Sequence, residues 1–342
     1  IECYEAGIRT VMITGDHKIT AMAIGKETGI YKENDIILTG EDLEKMSDKE
    51  ISKIIERVKI FARVNPNHKA RILTILQKKG KIVAMTGDGI NDAPALSMAD
   101  IGIAMGITGT DVSKEAGDMI LADDNFATIV TSIESGRIIY SNIKRFVRFL
   151  LSANFGEMLI ITMALIMGLP LPLLPLQILW INLMTDSLPA IALGLDSGEK
   201  DIMKEPPRSP VDYILNKKRL MDIAWSSVLM GGLAYANFLL FAVREGFSWR
   251  NFSDLGSPLY AQAVTLTYVT IVLIQLGNIL SLRTKEGILS KYLVSNKRLI
   301  GAYLLSGILI LNVSYNPHVS NFLQTGPLSG MDWMMAFAAT VI

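Results

Sequence analysis

The 342 residues carry 33 basic and 33 acidic side chains, and a net charge of zero leaves no sustained basic surface, which sets nucleic acid aside as a partner. A hydrophobic content of 50% and a mean hydropathy of +0.35 are too high for a wholly soluble protein of this size, so part of the chain belongs in a membrane. The charges crowd into the residues up to about Arg148 and then shrink to short patches between apolar stretches, which predicts a soluble domain over residues 1–137 and a membrane domain over 138–342.

The chain opens at Ile1, inside an amphipathic, helix-like segment with no charged-then-apolar leader, and reads as a piece of a longer protein. Its single cysteine, Cys3, cannot form an internal disulfide, fits a reducing compartment, and reads as a small buried apolar residue. Thr10 to Thr14 is a β-branched, apolar run ending in Gly-Asp, and Lys81 to Thr86 repeats that form, so both read as buried parallel strands. Helix-like stretches at Ile19 to Thr28, Asp42 to Val58 and Lys69 to Lys79 alternate with them. Alternating strand and helix predict a doubly wound α/β sheet, whose chemistry sits at the carboxyl ends of the strands. Thr14-Gly15-Asp16 and Thr86-Gly87-Asp88 fall there.

Apolar spans follow at about Phe146 to Gly168, Leu173 to Leu195, Leu220 to Val243, Tyr260 to Leu282 and Leu299 to Tyr315, each long enough for a bilayer of roughly 30 Å. Met331 to Ile342 begins a sixth and stops short of the roughly 20 residues a crossing needs, so this end also reads as cut. Lys200, Lys204, Arg208, Lys217, Lys218 and Arg219 separate the second and third spans, and Arg283, Lys285, Lys291, Lys297 and Arg298 the fourth and fifth, which makes those loops cytoplasmic. The loops around Pro170 to Pro175, Arg244 and His318 to Gln324 fall outside, and the soluble domain falls inside. Ile138 through Phe149 into Asn154 reads as one continuous helix, a possible lever, with Lys144, Arg145 and Arg148 as headgroup anchors.

The strongest local signal is Met85-Thr-Gly-Asp-Gly-Ile-Asn-Asp-Ala-Pro-Ala-Leu96, in which glycines let the backbone approach a ligand while Asp88 and Asp92 present hard oxygens spaced for one magnesium ion. Thr14 and Gly15 offer a hydroxyl and a free amide to phosphoryl oxygens, and Lys69, in Asn65-Pro-Asn-His-Lys69, offers a point charge. Taken singly these are ordinary turns and a solvated lysine; in combination they point to phosphoryl transfer.

Through Met12-Ile-Thr-Gly-Asp-His17, Phe61 to Lys69 and Met85 to Leu96 the chain resembles the P-type ATPases of the haloacid-dehalogenase superfamily. The resemblance implies an incomplete haloacid-dehalogenase-like domain followed by an all-α multi-span transmembrane domain. It implies that Thr14 and Gly15 hold the phosphoryl group, Lys69 neutralises it, Asp88 binds magnesium, and Asn91 and Asp92 complete the pocket, with ATP as substrate. The family's phosphorylated aspartate, in an Asp-Lys-Thr-Gly-Thr motif, has no match here. It is expected before Ile1, with the nucleotide-binding and actuator domains and four further membrane helices, so the chain alone is expected to be inactive.

In the membrane part Asn154 and Glu157 stand three apart on one helix face, and Asn182, Thr185 and Asp186 do the same in the next span. Pro189, one turn on, removes a backbone hydrogen bond and predicts a break that frees carbonyls. Five oxygen-bearing side chains supply most of a site for a hard cation such as calcium, and an intramembrane acid marks function. Helix-packing hydrogen bonds account for Asn154 or Thr185 singly but poorly for two carboxylates. Asn154 to Glu157, Gly168-Leu-Pro170 and Leu179 to Pro189 resemble the fifth and sixth transmembrane helices of calcium-transporting P-type ATPases, which implies that all five residues are calcium ligands. Pro206-Pro-Arg-Ser-Pro210 resembles that subclass too. Some members place a further acid in the eighth helix, where Tyr260 to Leu282 offers only neutral groups such as Gln275 and Asn278. The alternatives are a sodium, potassium or proton pump of the same family, a membrane-anchored phosphatase, and a non-catalytic product of a broken gene.

Overall fold

The computed structural model describes residues 2–198, 201–209, 211–246, 257–283 and 296–341. They form two compact units, Ile1–Arg137 with Glu199–Tyr213, and Ile138–Gly198 with Ile214–Ile342. Pro210, Lys200, Lys285 and Lys291, named above for their loops, lie outside the described residues.

The first unit is α/β. In chain order it holds α1 (Glu2–Glu5), β1 (Met12–Ile13), α2 (Lys18–Glu27), β2 (Ile36–Thr39), α3 (Gly40–Lys45), α4 (Asp48–Ile54), β3 (Val58–Ala62), α5 (Pro66–Lys78), β4 (Ala84–Gly87), α6 (Ala93–Met98), β5 (Ile101–Met105), α7 (Asp111–Ala116) and β6 (Met119–Leu121). All strand pairs are parallel and form two three-stranded sheets, in orders β1-β3-β2 and β4-β5-β6. Ile13 of β1 packs both against the core of Leu38, Phe61 and Ile72 and against that of Met85, Leu96 and Ala104, so the two sheets share a neighbour. Among the described residues β1 and β4, the strands that carry the Thr-Gly-Asp motifs, are edge strands.

The helix expected over Asp42 to Val58 is two helices and a strand. Ser47 starts α4 with a capping box, accepting from Glu50 N–H at 3.4 Å while its own N–H donates to Glu50 at 2.8 Å. After a 3₁₀ turn at Ile55–Arg57 the chain extends as β3. Val58, Ile60, Phe61 and Ala62 are fully buried there, because a central parallel strand is covered on both faces and shows no alternation. Arg137 draws the Glu199–Tyr213 segment into this unit, its guanidinium donating to the carbonyls of Ile202 (2.9 Å), Glu205 (2.7 Å) and Ala6 (2.7 Å). Cys3 is half-buried, not enclosed as its composition suggested.

The second unit is helical. α8 runs unbroken from Phe126 to Met167, 42 residues whose early turns lie within the first unit's range. Then come α9 (Pro175–Trp180), a π-helical turn (Ile181–Asp186) and α10 (Ser187–Gly194), which together make one span, followed by α11 (Lys217–Arg244), α12 (Pro258–Arg283), α13 (Lys297–Tyr315), α14 (Pro317–Leu323) and α15 (Gly330–Val341). Among the described residues five helices, Phe126–Met167, Pro175–Gly194, Lys217–Arg244, Pro258–Arg283 and Lys297–Tyr315, are long and apolar enough to cross a membrane. Leu165, Ile166, Ile191, Val243 and Leu304 stand exposed along them, as lipid-facing positions do. α12 is the central helix, with 78% of its most apolar stretch buried. Its last residue, Arg283, meets Asp196 just past α10 (Nε to Oδ2 2.7 Å), and Asn296, which caps α13, donates to the same carboxylate at 3.0 Å. Both charged side chains are fully buried, so the cost of desolvating them offsets much of their mutual attraction.

Candidate functional site

In the first unit the phosphoryl-binding candidates stand where two parallel strands end. Thr14 follows β1, its N–H donating to Phe61 O at 2.9 Å and its carbonyl accepting from Val64 N–H at 3.2 Å. Its hydroxyl donates to Asp16 Oδ2 at 3.0 Å and accepts from Asp16 N–H at 3.1 Å. Gly15 is exposed, and a Cβ there would meet nothing nearer than Val64 O at 3.9 Å, so its backbone is open to a ligand.

Lys69 stands in the first turn of α5. Asn65 caps that helix, accepting from His68 N–H at 2.9 Å, and Pro66 occupies the first turn, where its missing N–H costs nothing. The Lys69 ammonium bonds Asp92 Oδ1. Asp92 lies in a 3₁₀ turn, Ile90–Asp92, that turns it inward until it is buried at 7% exposure, while Asp88 stays exposed. A Cβ at Gly87 would come within 2.5 Å of Asp92 Cβ, so only glycine lets the end of β4 pass that side chain. The two acids therefore part company: Asp92 holds the lysine, and Asp88 alone offers its carboxylate outward. The backbone of Asp88 is pinned by Thr110 N–H (2.9 Å) and the Ser113 hydroxyl (3.1 Å). The sequence reading missed both, although Thr110 announces itself as the cap of α7. Asn91 is exposed beside this turn. One carboxylate with open surroundings suits magnesium, which keeps several waters and takes one or two carboxylates plus phosphate oxygens.

In the second unit Glu157 of α8 and Asp186 at the end of the π-helical turn are each 2% exposed. Asn182 donates to Glu157 Oε2 at 3.1 Å and Gln275 of α12 donates to Glu157 Oε1 at 2.9 Å, so three spans meet on one carboxylate. The sequence reading named Gln275 only as a neutral group; its seat on the central helix could not be seen in the chain. Thr185 is buried, its hydroxyl donating to Ile181 O at 2.9 Å. Asn154 stands apart: it is exposed, and its amide donates to Leu150 O at 2.8 Å, outside the hydrogen-bonded cluster. The break expected at Pro189 is a π-helical turn instead, and the helix continues to Gly194. Widening the turn accommodates a residue that offers no N–H to the carbonyl four positions back, that of Thr185, without severing the helix. Ser187 Oγ donates to Asn182 O at 2.7 Å within it. Asp186 Oδ2 and Gln275 Oε1 are buried without a hydrogen-bond partner. Unpaired acceptor oxygens in a buried, acid-bearing cluster are what a hard cation would satisfy.

The family "Cation transporting ATPase, C-terminus" matches residues 170–342, and "haloacid dehalogenase-like hydrolase" matches residues 3–100. A calcium-transporting ATPase of Bacillus subtilis is 46% identical over 100% of this chain and 37% of that protein. The human calcium-transporting ATPase type 2C member 1 is 40% identical over 98% of the chain and 35% of that protein. An endoplasmic reticulum calcium ATPase of Aspergillus fumigatus is 35% identical over 100% of the chain and 38% of that protein. The chain thus spans less than two-fifths of the length of these curated relatives. With the first of those matches covering just over half its length, and relatives of the same kind along all of it, the chain belongs to the cation-transporting P-type ATPases.

Proposed function

We propose that this chain is the part of an ATP-driven calcium pump that holds the phosphoryl pocket and much of the ion path. The observation that carries the reading is the pair of buried acids, Glu157 and Asp186, on two spans and tied by Asn182 and Gln275. An anchored phosphatase has no use for carboxylates inside its anchor. That all three relatives named above are calcium ATPases favours calcium over sodium, potassium or protons.

In this reading the exposed edges of β1 and β4 receive a strand from elsewhere in the longer protein that bears the Asp-Lys-Thr-Gly-Thr aspartate. ATP phosphorylates that aspartate. The open Gly15 amide and the Thr14 hydroxyl take the phosphoryl oxygens, and the Lys69 ammonium, aimed by Asp92, neutralises their charge. Asn91 completes the pocket. Asp88 would hold magnesium, which when bound would supply the further charge neutralisation that phosphoryl transfer needs. Glu157, Asp186, Asn182 and Thr185 bind calcium, with Asn154 joining once a neighbouring helix covers it. Phosphorylation is coupled to them through α8, which carries Glu157 on the same unbroken helix that begins at Phe126. The lipid bilayer is the remaining partner, and the Lys- and Arg-rich sequence between the spans favours a cytoplasmic side for the first unit.

The test is to reconstitute the complete protein in sealed vesicles and follow calcium uptake on adding ATP and magnesium. Uptake that needs both supports the reading. ATP hydrolysis that is indifferent to calcium but strictly dependent on sodium or potassium would replace it with a neighbouring subclass.

A further inference from the structure

α12 brings a second polar group to the acids. Tyr268 lies seven residues before Gln275, two helical turns away on the same face, and Gln275 bonds Glu157. α12 packs directly on the π-helical turn that ends in Asp186. Tyr268 is fully buried, and its hydroxyl has no hydrogen-bond partner. The Asp186 carboxylate is a charged neighbour of that hydroxyl, and the indole N–H of Trp180, the residue that leads into the π-helical turn, stands within reach of it short of a well-formed bond. Trp180 Nε1 is likewise buried and unbonded, and so is Asp186 Oδ2.

Three buried polar atoms without formed hydrogen bonds in one neighbourhood are costly unless they serve something. Their chemistry is complementary. An indole N–H only donates, a carboxylate oxygen only accepts, and a phenol does both. An ordered chain from Trp180 N–H to Tyr268 oxygen, and from Tyr268 O–H to one oxygen of Asp186, satisfies all three at once. It would leave the other carboxylate oxygen facing Glu157 and Asn182.

We propose that Tyr268 is a positioning residue of the cation site, its phenol, backed by the Trp180 indole, fixing the Asp186 carboxylate so that one oxygen faces the bound ion. This rests on the calcium-site reading above and adds a residue to it. A pre-set carboxylate avoids the cost of ordering it at the moment of binding, so the effect falls on affinity and not on the phosphoryl chemistry.

The experiment uses the complete pump and compares the parent with Tyr268→Phe, Asp186→Asn and the double variant. Equilibrium binding of radiolabelled calcium without ATP, the calcium midpoint for phosphorylation by ATP, and the maximal phosphoenzyme level are measured for each. Phosphorylation by inorganic phosphate without calcium checks folding. Tyr268→Phe, which keeps the ring and removes only the hydroxyl, is expected to weaken calcium binding about threefold to tenfold with an unchanged maximal level. In the Asp186→Asn background it is expected to add nothing, because the carboxylate it acts through is gone. Parent-like calcium binding in Tyr268→Phe, while Asp186→Asn is impaired, overturns this proposal and leaves the ion site standing. An equal further loss in the double variant overturns it too, since the phenol would then act independently of Asp186. Parent-like calcium binding in Asp186→Asn overturns the underlying calcium-site reading itself.

Discussion

At the residue scale, the first unit divides its carboxylates between structure and chemistry by burial. Asp92 is buried against Lys69, whereas Asp88 is exposed with only its backbone engaged. Asp88→Ala in the complete pump is therefore expected to fold normally yet lose at least about a hundredfold in phosphoenzyme formation from ATP, since metal neutralisation supplies much of the transition-state stabilisation. Near-normal labelling of that variant would remove Asp88 as the magnesium residue. Asp124 illustrates the structural role. Its backbone is left-handed, at φ 50°, and its carboxylate accepts from the N–H groups of Gly106 (2.6 Å), Ile107 (3.0 Å) and Thr108 (2.7 Å). The Ile107 N–H foremost, then the Thr108 hydroxyl (2.7 Å) and the other two N–H groups, pull its carboxyl from 3.8 down to about 2 against the opposing effect of burial. A depressed carboxyl contributes stability that is present above its ordinary value and is lost as pH falls through the folded one, so the window runs from about pH 4 down to about pH 2. Amide exchange at Gly106, Ile107 and Thr108, corrected for intrinsic rates, is expected to lose protection across that window. Asp124→Asn, already neutral, is expected to be less protected at pH 7 and flat below pH 4; a parent-like fall in protection would show that another group is titrating.

At the element scale, what could be read from the sequence was whatever had a long period. The spans announced themselves as apolar runs of membrane length, β1 and β4 followed from apolar runs with Gly-Asp ends, and α5 was expected from its helix-like stretch at Lys69 to Lys79, three residues after its actual start at Pro66. β3 was hidden because Val58, Ile60, Phe61 and Ala62 are buried on both faces, so neither alternation nor a helical stripe marks them. The π-helical turn was hidden because Pro189 reveals only that a hydrogen bond must be missing, not whether the helix breaks or widens around the gap. Gln275 and Tyr268 were hidden for another reason: their value depends on which helix is central, and that is a property of packing. Packing also fixes α8 against α11, where Gly156 meets Gly231 so closely that a Cβ at Gly231 would lie 2.6 Å from Gly156 O. Ser227 Oγ donates to Ser152 O at 3.1 Å one turn away. Gly231→Val is expected to force the helices apart and cost about 1–3 kcal/mol. Because Gly156 precedes Glu157, calcium affinity should fall in the same variant. Thermal unfolding of the purified pump in detergent checks the first effect, and an unchanged melting temperature would show that the helices do not depend on this contact.

At the scale of the whole molecule, the chain is less than two-fifths of the length of its relatives, so its sites must be judged inside the complete protein. The proposed function divides the work along the sequence: strand ends would hold the phosphoryl group, and two buried acids, costly without a bound ion, would hold the cation. The most direct measurement is the calcium dependence of phosphorylation by ATP in complete pumps carrying Glu157→Gln or Asp186→Asn, with phosphorylation by inorganic phosphate as the folding control. Each substitution removes a charge and keeps the shape. Both variants are predicted still to accept inorganic phosphate while their calcium midpoints rise at least about tenfold, Asp186→Asn more than Glu157→Gln, because Asp186 keeps a buried oxygen without a hydrogen-bond partner whereas both Glu157 oxygens accept from side-chain amides. A calcium midpoint in Asp186→Asn equal to that of the parent would contradict the proposed function.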